Sequence, residues 1–466
     1  MDENKRSPLT RKSFLKKAGL GAAAFWGIPF ASVKAGKNQF TLEREYHLHR
    51  KYAANDLVNI AAIGVGSMGQ SNTSRSLSVP GTKLVAACDL YDSRLLRCKE
   101  KYGDDIFTTR NYQEILDRED VDAVIVSTSD HWHQRIAIDA LDKGKGVYLE
   151  KPMVKVVEEG YDLIEAEKRS TAPLMVGSQR TSSILYDKAN ELLMNGEIGD
   201  LNFVEAYWGR RSAIGAWNYS IPPSASPENV DWDRYREGLP NIPFNAEHFF
   251  RFRNFDDYGT GAAGDLFVHL FSGLHRVAES HGPNKIMATG GIRYWNDGRD
   301  AEDLVVGIFD YPETEKVSAF NLSVRVNFAD GSGGGHVIRF TGSDGVMEIS
   351  GNSVTLIKAS PMSAPGRSID DFDESVREEY EEYHQNKYPT PKPTVIEPNE
   401  FVYRSPSGYS DHYDHHYNFI QAVRNGNSVD QDGTFGLRAC APALLSTDSM
   451  REKRIIDWNP DSIEMG

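Results

Sequence analysis

The sequence predicts an α/β fold with an N-terminal parallel-sheet domain and a C-terminal α+β domain built on a large, mostly antiparallel open sheet. Between residues 57 and 180, short apolar runs alternate with helical patterns, as in parallel sheets with right-handed crossovers. Between residues 202 and 350, apolar and polar residues alternate as in strands with one packed face. These patterns place the two domains at residues 57–180 and 181–466.

The composition narrows the possible partners. Lys and Arg number 52 against 67 Asp and Glu, which gives a formal charge of −15. This acidity, without a long basic tract beyond the N-terminus, argues against nucleic acid or an anionic membrane as a partner. The chain has three cysteines, Cys88, Cys98 and Cys440, and this small, odd number does not suit a disulfide framework. We expect Cys88 and Cys98 to be reduced, structural thiols.

Residues 1–35 have the anatomy of an export signal. A basic stretch, Thr10-Arg11-Lys12-Ser13-Phe14-Leu15-Lys16, precedes an uncharged run at 18–33 with small residues near its end. The run is shorter than the ~20 apolar residues of a membrane-spanning helix, so no stable membrane insertion is expected. The segment resembles a twin-arginine signal, with Lys12 where the second arginine usually stands.

This signal predicts export to the periplasm of a Gram-negative bacterium. The alternative is an uncleaved N-terminal segment of a cytoplasmic protein. Residues 36–56 are polar and without a clear period, and they are predicted to form an arm or linker.

A glycine motif follows the first predicted strand of the parallel sheet. The apolar run at 57–63 leads directly into Gly64-Val65-Gly66-Ser67-Met68-Gly69. Gly64 permits the tight turn, Gly66 lets backbone N–H groups approach a pyrophosphate, and Gly69 lets the helix pack closely on the strand. The six-residue pattern alone is weak, because it also occurs by chance in loops.

An acidic residue strengthens this interpretation. Asp89 ends the next predicted strand, at 83–88, and stands twenty positions after Gly69. A carboxylate there accepts hydrogen bonds from an adenosine ribose, whereas it repels a 2′-phosphate. Strand, glycines and acid together predict a Rossmann domain that binds NAD. NADP stays open, because Arg94 is close enough in sequence to pair with a phosphate.

Three segments then form a recognisable combination. Two of them follow the strands predicted at 123–126 and 146–149, and these are Ser127-Thr128-Ser129-Asp130-His131-Trp132-His133 and Glu150-Lys151-Pro152. The third comes later in the chain and is Gly259-Thr260-Gly261-Ala262-Ala263-Gly264-Asp265-Leu266-Phe267-Val268-His269. Together they resemble the Gfo/Idh/MocA oxidoreductases, named for glucose-fructose oxidoreductase and inositol dehydrogenase. The family usually has Pro and Asn at the positions of Ser129 and Asp130, and Gly at that of Phe267. The resemblance covers roughly residues 57–458.

The resemblance implies that Lys151, Asp265 and His269 act in catalysis. Their chemistry fits: Asp265 and His269 are four apart and lie on one face of a helix. Histidine, with a pKa near neutrality, suits the removal of a hydroxyl proton while hydride leaves the same carbon. Lys151 offers a cation to the reacting oxygen. The structural alternatives are a satisfied core histidine and a lysine that merely ends a strand, and His275 is expected to be structural.

The predicted cofactor is NAD, held tightly because free NAD is not expected to be recycled outside the cytoplasm. His133 is as well explained by a role at the start of a helix. The residues predicted to bind the cofactor are Gly64, Gly66, Ser67, Met68, Gly69, Asp89, Ser127, Thr128, His133, Glu150 and Lys151.

The substrate residues are less sharply predicted. Arg180 either reaches the active site or forms a salt bridge between the domains. Trp217 and Tyr219 belong to an aromatic-rich insert that suits a carbohydrate and equally suits a loop packed on its own rings. No metal is predicted, because His412, His415 and His416 lack an acidic or cysteine partner at ligand spacing and are expected to be structural. The glycine cluster at 331–335 is predicted to be a hairpin connection.

These patterns predict an NAD-dependent oxidoreductase acting on a hydroxyl of a sugar or glycoside, with His269 as base and Lys151 and Asp265 assisting. The alternative is an NAD-dependent glycoside hydrolase that works by transient oxidation, elimination and re-reduction. A non-catalytic, sugar-sensing protein is the third possibility. The open sheet and the family resemblance predict a homodimer or homotetramer.

Overall fold

The computed structural model describes residues 38–44, 56–359, 367–389 and 399–465. The predicted export signal, most of the predicted arm and most of the proline-rich connector near residue 390 lie outside these ranges. The arm residues within them include strand β1, Asn38–Thr41, which adds to the edge of a sheet. No helix in the described ranges has both the length and the apolar character to cross a membrane.

The first half of the chain forms a six-stranded parallel sheet with the order β4-β3-β2-β5-β6-β7. Its central strands are buried on both faces, which explains their nearly continuous apolar sequences. The six strands are β2 Val58–Ile63, β3 Thr82–Cys88, β4 Phe107–Thr109, β5 Ala123–Val126, β6 Gly146–Glu150 and β7 Leu174–Gly177.

Helices connect these strands in the alternating pattern that the sequence predicts. The five helices are α1 Ser67–Ser78, α2 Asp92–Tyr102, α3 Tyr112–Leu116, α4 His133–Asp142 and α5 Val157–Arg169. Gly69 lies where α1 crosses the end of β2, and a Cβ there would come within 1.8 Å of the Gly64 carbonyl oxygen. The third glycine of the motif thus permits the close approach of helix and strand.

The second half is built on an eleven-stranded sheet with the order β1-β15-β14-β13-β12-β8-β11-β10-β9-β16-β17. Only the β1–β15 and β8–β11 pairs are parallel, so the predicted fold class is confirmed. The strands are β8 Leu201–Gly209, β9 Lys285–Gly291, β10 Leu304–Tyr311, β11 Phe320–Asn327, β12 Gly335–Gly342, β13 Gly345–Ser350, β14 Ser353–Lys358, β15 Glu400–Arg404, β16 Ile456–Asn459 and β17 Glu464–Met465.

The loop that contains the glycine cluster at 331–335 is not a hairpin. It connects β11 to β12, but β8 lies between these two strands, parallel to β11 and antiparallel to β12. The prediction of a hairpin is therefore wrong. Strand β8 comes before β11 and β12 in the chain but lies between them in the sheet. The local sequence gives no sign of this arrangement.

The remaining helices include two that return to the parallel sheet. Phe419 and Ile420 pack in the same core cluster as Ile60 and Tyr148. The helices are α6 Ile184–Met194, α7 Trp232–Tyr235, α8 Ala246–Phe250, α9 Val268–Ala278, α10 Glu374–Lys387, α11 Asp411–Asn425 and α12 Gly433–Glu452. The C-terminal helices α11 and α12 thus complete the first half of the fold, whereas α10 has no buried residue. Cys88, Cys98 and Cys440 are free and buried.

The aromatic-rich insert packs largely on itself and on the Rossmann half. A separate cluster of buried residues joins Tyr91 to Trp232, Phe249 and Tyr258 of the insert. Backbone hydrogen bonds from Asp231 N to the Leu90 oxygen, 2.8 Å, and from Asp92 N to the Asn229 oxygen, 3.1 Å, fasten the insert there. The composition of the insert suits either carbohydrate binding or a loop packed on its own rings, and packing accounts for most of the rings.

We expect Gly69→Ala to lower the free energy of unfolding by about 3 kcal/mol, because helix α1 must move away from the Gly64 backbone. Chemical denaturation measures this change. The control is Gly331→Ala, where a Cβ would meet no atom within 4 Å. Equal stability of the two variants would contradict the proposed close approach.

Candidate functional site

A cavity of about 340 Å³ lies at the carboxyl ends of β2, β3 and β5. The glycine motif contributes Gly64, Gly66, Ser67 and Met68 to its wall. Asp89, Ser127 and Thr128 follow the neighbouring strand ends and complete that side of the cavity. Ligands of open parallel sheets bind at this edge.

The glycine loop has the geometry of a dinucleotide cradle. Gly64 adopts φ +82°, and a Cβ there would lie 2.6 Å from the Ser127 carbonyl oxygen. The first turn of α1 contains no acidic side chain, so its N–H groups present a positive end to the cavity. These features fit a bound pyrophosphate.

Asp89 is held at the other end of the cradle. Its carboxylate accepts hydrogen bonds from Val65 N at 2.9 Å and from Tyr91 N at 3.0 Å. Arg94 Nη1 lies 3.4 Å from each carboxylate oxygen, and its guanidinium lies over the rings of Phe249 and Phe250. Arg94, the residue considered as a phosphate partner, is thus paired with the acid that is predicted to bind the ribose.

Glu150 lies behind the cavity, and its hydrogen bonds position neighbouring residues of the cavity. Asn72 Nδ2 donates to Glu150 Oε1 at 2.8 Å and to Ser127 Oγ at 3.1 Å. Glu150 Oε2 accepts from Lys151 N at 3.1 Å. His133 is buried and pairs through Nδ1 with the Pro152 oxygen at 2.7 Å, so it supports the turn after β6.

Lys151 and Asp265 bring the two halves of the protein together. Lys151 Nζ donates to Asp265 Oδ1 at 2.7 Å and to the Asp265 carbonyl oxygen at 2.9 Å. Arg253 Nε donates to the same carboxylate oxygen at 3.1 Å. Asp265 lies in a π-helical turn, Ala263–Phe267, that leads into α9, and such wide turns are common at functional sites. The Lys151–Pro152 peptide bond is cis.

The charges around Asp265 keep it ionised. Burial opposes ionisation, but Lys151 and Arg253 hold the pKa of Asp265 well below its usual range. Burial raises the pKa of Asp130 to about 6, against the opposing effect of Arg253. Thr260 Oγ1 donates to Asp130 Oδ2 at 3.0 Å.

His269 lies one turn beyond Asp265, at the start of α9. Its ring centroid is 5.2 Å from that of Trp208, and Nδ1 is buried without a hydrogen-bond partner in the described part of the chain. Burial, followed by the charges of Lys151 and Arg180, lowers the pKa of His269 well below its usual value. The imidazole is therefore neutral at neutral pH.

His275 has a different environment. Its Nε2 pairs with the Tyr311 hydroxyl at 3.0 Å, and burial lowers its pKa to about 3. It lies deep in the core rather than beside Lys151, as expected for a structural residue.

Arg180 forms a salt bridge, one of the two roles considered for it. Nη1 donates to Asp411 Oδ2 at 2.8 Å, which links the end of β7 to α11. Nη2 lies 3.1 Å from His336 Nε2, and the His336 ring stacks on Trp208 at 4.8 Å. The salt bridge thus lies on the same side as His269.

The two aromatic candidates are placed differently. Trp217 is 3% exposed and packs edge-on against Phe328 at 4.6 Å, so it belongs to the core. Tyr219 lines the cavity and is 47% exposed. Only Tyr219 of this pair is available to a ligand there.

The histidines of α11 have structural partners. His415 pairs with Ser182 Oγ at 2.8 Å and with the Val176 oxygen at 2.9 Å. His416 Nδ1 lies 2.9 Å from Ser76 Oγ. Within the described residues, no group of three or more His, Cys, Asp or Glu side chains is arranged to hold a metal ion.

Sequence reasoning did not assign several residues that meet at the site. Asp130 stands inside the Ser127–His133 motif, and Arg253 is one of the arginines interleaved with the rings of the aromatic insert, a composition that indicates donors for a ligand. Asn72 follows Gly69 by three positions, on the helix of the glycine motif, which is a signal that was available. The unassigned residues are Asn72, Asp130, Arg253, Thr260 and His336.

Comparison with known families concerns the parallel-sheet domain. Residues 58–178 match the model of the Gfo/Idh/MocA family, described as an oxidoreductase family with an NAD-binding Rossmann fold. This region is therefore similar to the NAD-binding Rossmann domain of these oxidoreductases, in agreement with the predicted fold and cofactor.

Particular relatives carry glycosidase names. The chain is 27% identical over 217 residues to glycosyl hydrolase family 109 protein 1 of Shewanella sp. (strain ANA-3), a match that covers 42% of this chain and 45% of the relative. It is 28% identical over 213 residues, with the same coverage, to alpha-N-acetylgalactosaminidase of Shewanella oneidensis. The matched region spans less than half the length of each relative.

Solved structures of low identity share the fold over most of their length. Levoglucosan dehydrogenase in complex with NADH has a TM-score of 0.60 at 16% identity, covering 86% of this chain and 98% of that one. GenD2 from gentamicin A biosynthesis, in complex with NAD, has a TM-score of 0.61 at 16% identity, covering 90% and 99%. An oxidoreductase domain protein from Kribbella flavida has a TM-score of 0.61 at 18% identity, covering 86% and 99%.

We expect Asp89→Asn to weaken NAD binding about ten-fold, because an amide cannot replace every charge-assisted hydrogen bond of the carboxylate. The dissociation constant for NAD measures the effect. Asp117→Asn is the control, since Asp117 pairs with Lys143 on the surface. An unchanged NAD affinity in Asp89→Asn would argue against its ribose role.

Proposed function

We propose that the protein is an NAD-dependent oxidoreductase that oxidises a hydroxyl of a sugar or glycoside. The observation that carries the proposal is the meeting of Lys151 from the NAD-binding half with Asp265 and His269 from the other half. These groups supply a fixed cation and a neutral base beside a dinucleotide cradle. Oxidation of an alcohol requires both.

Each residue has a defined part in the proposed reaction. Bound NAD supplies the hydride acceptor. The ammonium of Lys151 donates a hydrogen bond to the reacting hydroxyl oxygen and stabilises negative charge on it. Asp265 holds that ammonium in place, and the neutral imidazole of His269 accepts the hydroxyl proton. Returning the proton and hydride reverses the same step.

Glycoside hydrolysis is the second candidate, and the names of the Shewanella relatives favour it. The oxidation and the final reduction would use the same three residues, with elimination of the aglycone between them. The Glu150-Lys151-Pro152 element favours the dehydrogenase, because it carries part of the resemblance to the oxidoreductases. Both candidates begin with removal of hydride from the sugar.

Aryl glycosides separate the two candidates. Oxidation is expected to give a keto sugar and NADH, whereas hydrolysis is expected to release the aglycone without net NADH. Absorbance at the wavelengths of NADH and of the free aglycone, with mass spectrometry of the sugar, distinguishes these results. If neither product forms across a panel of pyranosides, the sugar-sensing alternative replaces both.

We expect Lys151→Met and His269→Gln each to lower kcat at least about 100-fold, because each removes a group that acts on the reacting hydroxyl. Asp265 keeps Arg253 as its counter-ion in the first variant, so the protein is expected to fold and retain NAD. Lys143→Met and His281→Gln, both at exposed residues, are the controls. Full activity in His269→Gln would transfer the role of base to another group.

We infer that NAD stays bound through turnover. Tyr235, Phe249 and Phe250 of the insert line the cofactor cavity, and the insert is fastened to the Rossmann half by main-chain hydrogen bonds. Trp132 Nε1 adds a bond to the Tyr235 oxygen at 2.9 Å. These contacts favour a cofactor that is enclosed rather than exchanged.

Purified protein is expected to contain close to one NAD per chain after gel filtration, as measured on the supernatant after denaturation. Trp132→Phe removes one fastening bond and is expected to speed NAD release several-fold. Recovery of NAD-free protein, with a dissociation constant in the high micromolar range, would overturn the inference.

Export and assembly remain proposals from the sequence. We propose a periplasmic protein delivered by a twin-arginine-like signal and assembled as a homodimer or homotetramer. Cell fractionation and sedimentation would test the two parts separately.

A further inference from the structure

Three positive side chains act on the carboxylate of Asp265, namely those of Lys151, Arg253 and Arg210. Lys151 and Arg253 both donate to one oxygen of Asp265, at 2.7 Å and 3.1 Å. Arg210 is close enough for its charge to lower the pKa of Asp265 further. Glu150 and Asp130 are carboxyls nearby that have other partners: Glu150 accepts from Asn72 and from the Lys151 N–H, and Asp130 accepts from Thr260.

Arg253 has hydrogen-bonding capacity left for a ligand. Nε is used by Asp265, but in the part of the chain that the structure describes neither Nη atom has a protein partner. The side chain lines the cavity, and its guanidinium lies 4.5 Å from the centre of the Phe252 ring. A guanidinium fixed in this way presents a planar pair of donors to an anion.

Arg210 adds a second available cation. Its guanidinium carbon lies 5.9 Å from the centre of the Phe328 ring. Across the described ranges Arg210 makes no ion pair with a carboxylate, whereas Arg180 on the same side of the site is neutralised by Asp411 at 2.8 Å. Arg253 and Arg210 therefore have guanidinium N–H groups left for a ligand, within a chain whose net charge is −15.

The cradle predicted for the cofactor phosphates is built from other residues than these two arginines. The pyrophosphate cradle is the turn from Gly64 into α1, and Arg94 is the cation beside it, in contact with Asp89. Arg253 is instead bound to Asp265, the residue that holds Lys151. Arg253 therefore lies with the proposed reacting groups.

We propose that the substrate is a sugar that carries an anionic group, a carboxylate or a phosphate, bound by Arg253 and Arg210. This inference rests on the proposed function for its sugar and adds the charge of the substrate. The anion takes the two free donors of Arg253, and the hydroxyl to be oxidised faces Lys151.

Binding of matched sugars to the NAD-loaded protein tests the proposal. The probes are glucuronate, galacturonate and mannuronate, the corresponding hexose 6-phosphates, and the parent hexoses, measured by calorimetry. In at least one series the acid or the phosphate is expected to bind about ten-fold or more tightly than its hexose. Carboxylate and phosphate are separated by which of the two binds better. The proposal is overturned if no charged sugar binds more tightly than its hexose.

A charge-matched pair of variants locates the anion. Arg210→Gln is expected to abolish most of the preference for the charged sugar while the content of bound NAD stays the same. Arg211→Gln removes the same charge from an exposed neighbour and is expected to keep the preference. Loss of NAD from Arg210→Gln would instead assign the arginine to the cofactor and overturn its role here.

The failure of this inference and that of the proposed function are distinguishable. A charged sugar that binds tightly, yet yields neither NADH nor a released aglycone, would uphold the anion site and overturn the oxidation. A neutral sugar that is oxidised as efficiently as its charged counterparts would uphold the oxidation and overturn the anion site.

Discussion

The buried ion pair between Lys151 and Asp265 is the constraint on which the rest of the site depends. The two side chains are 9% and 4% exposed, and removing charges from water costs several kcal/mol for each ion unless geometry and further hydrogen bonds compensate. Here the compensation comes from the Asp265 carbonyl and from Arg253. The pair joins the end of β6 to the turn before α9. It therefore fixes the NAD-binding half against the half that carries His269.

The elements nearest to the cofactor were predictable because their signals are local. A buried strand, a glycine turn and a helix are encoded within a few successive residues, and the structure places β2, the Gly64 turn and α1 where the pattern put them. Asp89 follows from the same pattern at a fixed spacing. Lys151 and Asp265 were found through a family resemblance, since residues 114 positions apart have no local reason to meet.

Other features depend on contacts that no short segment encodes. The position of β8 between β11 and β12 is one of them, and the return of α11 to the parallel sheet is another. In both cases alternation or helical periodicity identifies the element but says nothing about its neighbour. Arg253 became part of the site for the same reason. Composition likewise could not tell whether the rings of the insert bind sugar or pack, and Trp217 proved to be a core residue.

The way in which the insert is fastened bears on how the protein matures. Its bonds to Leu90 and Asp92 are formed by backbone atoms, so no change of side-chain rotamer releases them. Moving the insert away from the cavity therefore requires breaking main-chain hydrogen bonds, which is a local unfolding event. If NAD stays bound through turnover, as we infer, its loading belongs to the period in which the polypeptide folds.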